Sequence, residues 1–263
     1  MKNLGFTKYL VFFAIFSYLC VSSAGQVWDD IQIIKDKKFN VILKTSCALI
    51  SKATENLSGL GPIIQKGNRC EVNLNNALPE KMIQMHDTFL NRSGPNCWDT
   101  SLFMSGTLEF RRTVLSEEMD FITSSPICRP LTLEEKPVLG DLIAVHHRGE
   151  PPEFHGFNYI NEMLSFSKAG FDKQFGYEIV NSDFVYTQFA LGKNIAPLKC
   201  RRVIGVPDEA ECPTYAQYFR CQNRTEYLAN SNFKTKNEFL IFDKKVRSLE
   251  KEVSESTVDL EKW

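Results

Sequence analysis

Net charge, long apolar runs and histidine are all scarce in this 263-residue chain. Lys and Arg number 31 against 32 Asp and Glu, so no basic footprint for nucleic acid is present and none is expected as a partner. The only long apolar run, Tyr9 to Leu19, has about half the roughly 20 residues of a membrane span. No stable membrane insertion is therefore expected. There are only 4 histidines. His146 and His147 are adjacent and would face opposite ways on a strand, which excludes a shared metal between them. His86 has no partner pattern and reads as an ordinary helix residue. Neither a metal nor a cofactor is expected. Repeats and low-complexity tracts are also missing.

What is present begins with a secretory pattern over residues 1–24: Lys2 and Lys8 precede the apolar run, and Ser22, Ser23 and Ala24 follow it. Export to a secreted or periplasmic location is expected. Of the 8 cysteines, Cys47, Cys70, Cys97, Cys128, Cys200, Cys212 and Cys221 lie beyond that segment. An odd number in an exported chain leaves at least one thiol unpaired. Short loops close easily, which weakly favours Cys47 with Cys70 and one bridge within Cys200, Cys212 and Cys221.

The apolar spacing of Ile31, Ile34, Phe39, Val41, Ile42, Leu43, Leu49 and Ile50 predicts a helix, so residues 25–90 read as an N-terminal helical segment. Within them, residues 58–79 read as loop, and Pro79 opens a short helix. Residues 91–192 read as the core. There a helix starting at Cys97 precedes a turn and strand within 137–147 and strands at 154–160, 163–167, 177–180 and 184–190, with Asn161-Glu162 as a two-residue turn. Helices followed by an antiparallel meander indicate an α+β domain. Residues 193–235 read as a Cys-containing loop region that staples the C-terminal side. Residues 236–263 carry Leu240, Phe242, Val246, Leu249 and Val253 at helical spacing and read as a charged helix or tail.

Gly94-Pro95-Asn96-Cys97-Trp98 places a cysteine where a turn becomes a helix. Unpaired N–H groups and the helix dipole favour its thiolate there, which makes Cys97 the candidate nucleophile. His155, at the start of a strand, is the candidate base. Asp141 reads as a turn-former. Asn96-Cys97-Trp98, the Gly140-Asp141-Leu142 turn before an apolar strand, and His155-Gly156-Phe157-Asn158-Tyr159-Ile160 fourteen residues after Asp141 together resemble the NlpC-type papain-like cysteine peptidases and their CHAP relatives. The likeness covers about residues 95–167. It implies a papain-like α+β fold with helices packed on an antiparallel sheet, and hydrolysis of peptide or amide bonds in peptidoglycan or another peptide. The third position of the family, a His, Asn or Gln on the strand after the histidine strand, falls here at Ser167, or at Ser165 if the turn is shorter. Asn158, Asp172 and Asp183 are the other candidates for that role. Asp172, 17 residues after His155, also resembles the transglutaminase-like branch. A secreted, disulfide-stapled binding protein with an inactive frame of this kind is the alternative.

Overall fold

The computed structural model describes residues 30–90, 95–147, 155–189, 200–202 and 214–258. The expected signal segment and Cys212 lie outside these residues. The fold is α+β, built on two sheets that share a core.

The first sheet corrects the helical reading of residues 25–90. Strands β1 (Gln32–Lys35), β2 (Val41–Ser46), β3 (Ile64–Lys66) and β4 (Arg69–Asn73) form an antiparallel sheet in the order β1-β2-β4-β3. The polar run after Lys35, which interrupts the helical period, is a hairpin turn. Phe39 takes φ 62° there, and the Asp36 carboxylate accepts from the Lys38 and Asn40 amides. Beyond it Val41, Leu43 and Thr45 alternate buried with half-buried neighbours, the period of a strand rather than a helix. The segment read as loop holds a second hairpin, turned by Gly67 at φ 63° and Asn68. Cys47 and Cys70 pair across β2 and β4. Two short helices, α1 (Ile50–Ala53) and α2 (Glu80–Met85), cover this sheet.

Helix α3 (Cys97–Met104) begins at the cysteine and ends before Gly106, whose φ of 81° closes it. After α4 (Ser116–Ser124) and β5 (Cys128–Pro130) come β6 (Leu142–His147), β7 (His155–Tyr159), β8 (Leu164–Lys168) and β9 (Tyr177–Asn181), an antiparallel meander close to the expected bounds. The expected strand at 184–190 is instead helix α5 (Ser182–Phe189). Its β-branched and aromatic residues favour a strand, but the Asn181 side chain accepts from the Asp183 amide and starts a helix that buries Val185 and Tyr186.

The loop reading of residues 193–235 also changes. After β10 (Arg201–Arg202), β11 (Thr214–Cys221) pairs with β6 over Thr214↔His147 to Phe219↔Leu142, giving the sheet order β10-β11-β6-β7-β8-β9 with β5 on β11. Its core-facing Tyr215, Tyr218 and Phe219 are strand-forming residues that the cysteine count obscured. Cys221 pairs with Cys128 rather than within its own cluster, and Cys200 is disulfide-bonded as well. Helices α6 (Arg224–Asn230) and α7 (Phe233–Val258) finish the described chain, with Phe239 and Val246 of α7 buried. Among the described residues no helix is long and apolar enough to cross a membrane.

Both faces of the larger sheet are covered. Leu142 and Ala144 of β6 join Leu102 of α3 and Met119 and Ile122 of α4 on one side. Ile143 and Val145 join Phe157, Tyr159 and the α5 residues Val185 and Tyr186 on the other.

Candidate active site

Asn96 caps α3 by accepting from the Asp99 amide at 3.0 Å. The same side chain donates to the Val114 carbonyl at 2.7 Å. This fastens the segment 111–114 over the first turn. Asp99 is fully buried; one of its oxygens accepts from the Arg112 amide at 2.7 Å, and the other lies 3.8 Å from Arg111 Nε. Arg112 itself is paired with the buried Glu118.

Under α3, β7 presents Gly156 and Asn158. A Cβ on Gly156 would stand 2.7 Å from Ser101 Oγ and 3.3 Å from Trp98 Cδ1, so only glycine lets the helix come this close. Asn158 Nδ2 donates to the Ser101 carbonyl at 3.0 Å. That close approach brings the Gly156 N–H to the sulfur of Cys97. Cys97 is buried, and it is the free cysteine among the described residues.

Strand alternation puts His155 on the other side with Phe157, whose ring lies 5.9 Å from the imidazole. The ladder between β7 and β8 is limited to Asn158↔Phe166 and Tyr159↔Ser165. Beyond these pairs His155 Nε2 lies 3.2 Å from Ser167 Oγ. The sulfur, touched by the Gly156 amide, is thus on the α3 side of the start of β7 and the imidazole of the preceding residue on the α5 side. Of the two serines considered from sequence, Ser165 is bonded to Ser182 Oγ at 2.7 Å, and Ser167 holds the imidazole. Asn158 is turned onto α3. The Asp172 carboxylate accepts from the Gln174 amide, and Asp183 lies in the first turn of α5. Asp141 forms the expected turn, accepting from the Val138 amide, and takes a two-pronged ion pair from Arg220 of β11.

The electrostatics revise the helix-start argument. Burial pushes the Cys97 thiol above its ordinary value, against the Gly156, Trp98 and Cys97 amides and the Lys168 charge, all of which pull it down. Burial also lowers the His155 imidazole to about 3. At neutral pH the resting pair is thus a thiol and a neutral imidazole.

Sequence reasoning noticed Asp99 only as part of the helix start, three residues after Asn96, and missed Arg111, Lys168 and Tyr177, which gather near it. Nothing in their spacing announced them, because Arg111 arrives on a loop and Lys168 on a strand end. His86 is not an ordinary helix residue either. It follows α2, and its Nδ1 accepts from the Ile179 amide at 3.1 Å, closing the edge of β9 beside the bonds between Tyr177 and residues 87 and 88.

Burial holds His86 at about 4, below its ordinary 6.5. The unfolded chain therefore binds a proton there that the folded chain refuses as pH falls from 6.5 to about 4. Stability present above pH 6.5 is lost through that window, at up to about 1.4 kcal/mol per pH unit. Urea unfolding of wild type and His86→Asn, which keeps an acceptor for Ile179, should show wild type losing about 3 kcal/mol more than the variant between pH 7 and pH 4. Parallel pH curves would contradict this.

Comparison with family models, curated proteins and solved structures returned no match. Among the described residues no group of His, Cys, Asp and Glu is placed to hold a metal ion.

Proposed function

We propose that the protein is an exported cysteine hydrolase of papain-like, NlpC-type build that cleaves peptide or amide bonds, with peptidoglycan peptides as one substrate class. Cys97 is its nucleophile, His155 its base, and Ser167 the residue that orients the imidazole. The observation carrying this reading is the start of β7, where the Gly156 amide touches a free cysteine at a capped helix start and the preceding residue is a serine-bound histidine. The paired cysteines agree with an oxidising compartment.

In this scheme His155 takes the thiol proton as sulfur attacks the carbonyl, and the Cys97 amide faces the developing oxyanion. The proton passes to the leaving amine as the C–N bond breaks. Water then attacks the thioester, giving one proton back to sulfur and releasing the acid. Because the resting thiol is neutral, its alkylation by iodoacetamide should be slow at pH 7 and rise about tenfold per pH unit to beyond pH 9. Hydrolysis is tested by incubating purified murein sacculi and a mixed peptide digest with wild type and Cys97→Ala. New amino groups should appear with wild type alone. Recovery of Cys97 in a disulfide, or no release by wild type from either substrate, would sink the proposal.

The burial of Cys97 and its raised thiol also favour a second reading, a disulfide-stapled binding protein that retains an inactive frame. On that reading Cys97→Ala changes nothing measurable, and the sulfur resists labelling at every pH at which the fold survives.

A further inference from the structure

A group of donors with too few acceptors lies where β8 and β9 face α3. Arg111 Cζ stacks 4.1 Å from the centre of the Tyr177 ring, and Lys168 Nζ is 5.9 Å from the same centre. Tyr177 and Lys168 are fully buried. Arg111 Nε and Nη2 and the Tyr177 hydroxyl are enclosed without a hydrogen-bond partner. The carboxylate in reach is Asp99, which forms an ion pair with Arg111 across 3.8 Å from Oδ2 to Nε, too long for a hydrogen bond, so that these donors and Oδ2 stay without one. Lys168 spends its donors on the Gly170 carbonyl and, at 3.1 Å, the Asp172 carbonyl, both neutral. Its charge acts on Cys97 and on Asp99. Buried donors without acceptors are uncommon in folded proteins, and here three of them, two on a guanidinium, surround one aromatic ring.

What satisfies such a group is an acceptor-rich anion of planar shape. A carboxylate fits the guanidinium fork and can take the phenolic O–H in addition. We propose that Arg111, Tyr177 and Lys168 form a carboxylate-binding subsite beside Cys97, so that the substrate carries a carboxylate next to the amide it offers to the sulfur. The class is then a peptide with an acidic side chain, or a free C-terminus, adjoining the scissile bond. The subsite rests on the unpaired donors; its use in substrate choice rests on the hydrolase reading above.

Two alkylating agents of nearly equal size separate these ideas, because iodoacetate carries a carboxylate and iodoacetamide does not. In each, the thiolate displaces iodide to form a thioether. With free cysteine in the same buffer as reference, wild type should favour iodoacetate at Cys97 by about tenfold, the weight of one charge-assisted hydrogen bond. Arg111→Gln should return the ratio to that of free cysteine, and Tyr177→Phe, which keeps the ring, should reduce it. A wild-type ratio equal to that of free cysteine overturns the subsite. So does an equal slowing of both reagents in Arg111→Gln, which would mean that Arg111 acts only on the acidity of the sulfur. If neither reagent labels Cys97, the hydrolase reading fails, and succinate then decides the subsite separately. A rise in wild-type Tm with succinate that Arg111→Gln loses would sustain it; no rise in wild type would overturn it.

Discussion

On the hydrolase reading proposed above, replacing His155 with Ala is expected to lower kcat for amide hydrolysis by about 10³-fold or more, within the range a general base supplies. The reason lies in the resting state. Burial holds the Cys97 thiol up and the imidazole down at about 3, so no preformed ion pair exists and the proton must move during attack. Without the imidazole, the ionised fraction of the thiol limits the rate. The variant should therefore recover activity about tenfold for each unit of rising pH until the thiol titrates. Cys97→Ala should show no such recovery at any pH. Measured as pH–rate profiles on one peptide substrate, a loss below about threefold for His155→Ala would remove the histidine from the mechanism. Ser167→Ala should fall between wild type and His155→Ala, since it leaves the imidazole in place but unheld at Nε2.

The second large effect concerns stability. Cys128 and Cys221 are 93 residues apart, and their bridge joins β5 to β11 at facing positions. In the chain-entropy account, closing a loop of that length stabilises the fold by about 4.6 kcal/mol. The Cys47–Cys70 bridge, spanning 23 residues, should contribute about 3.4 kcal/mol. Replacing Cys128 and Cys221 together with Ser is thus expected to lower the urea midpoint more than replacing Cys47 and Cys70. The order of the two double variants is the test. The reverse order would place the effect of these bridges in the folded state rather than in the unfolded chain.

The readable parts of the sequence were those governed by local chemistry. Asn96 at the start of the Cys97 helix and the alternation along β6 to β9 depend on neighbours a few residues away, and the meander appeared close to its expected bounds. Residues 30–57 were misread because Ile31, Ile34, Val41 and Ile42 fit a helical face as well as two strands. The deciding feature was the Asp36 turn, whose side-chain bonds to Lys38 and Asn40 start a hairpin. At 184–190 the propensity of Val185 and Tyr186 pointed to a strand, and burial against Phe157 and Tyr218 prevailed. In the candidate site, Cys97 was singled out by its helix start and Ser167 by the family resemblance, and the fold brings Ser167 to His155. Arg111 and Tyr177 were not legible, since they meet only through the fold. The acidity of Cys97 also went against its helix position, because burial is a property of the whole packing.

The pairing of β11 with β6 has a consequence in time. Phe219 faces Leu142 and Thr214 faces His147, so this ladder joins segments about 70 residues apart in the chain. Such a pairing must bear its loop-closure entropy before any contact rewards it, which makes it a slow step. During synthesis, β6 to β9 and the helix that starts at Cys97 emerge first, and they wait with one side of β6 bare until Thr214 to Cys221 arrives. Throughout that interval Cys128 has no Cys221 to meet. Any earlier bridge at Cys128 must therefore be reshuffled by thiol exchange once Cys221 arrives.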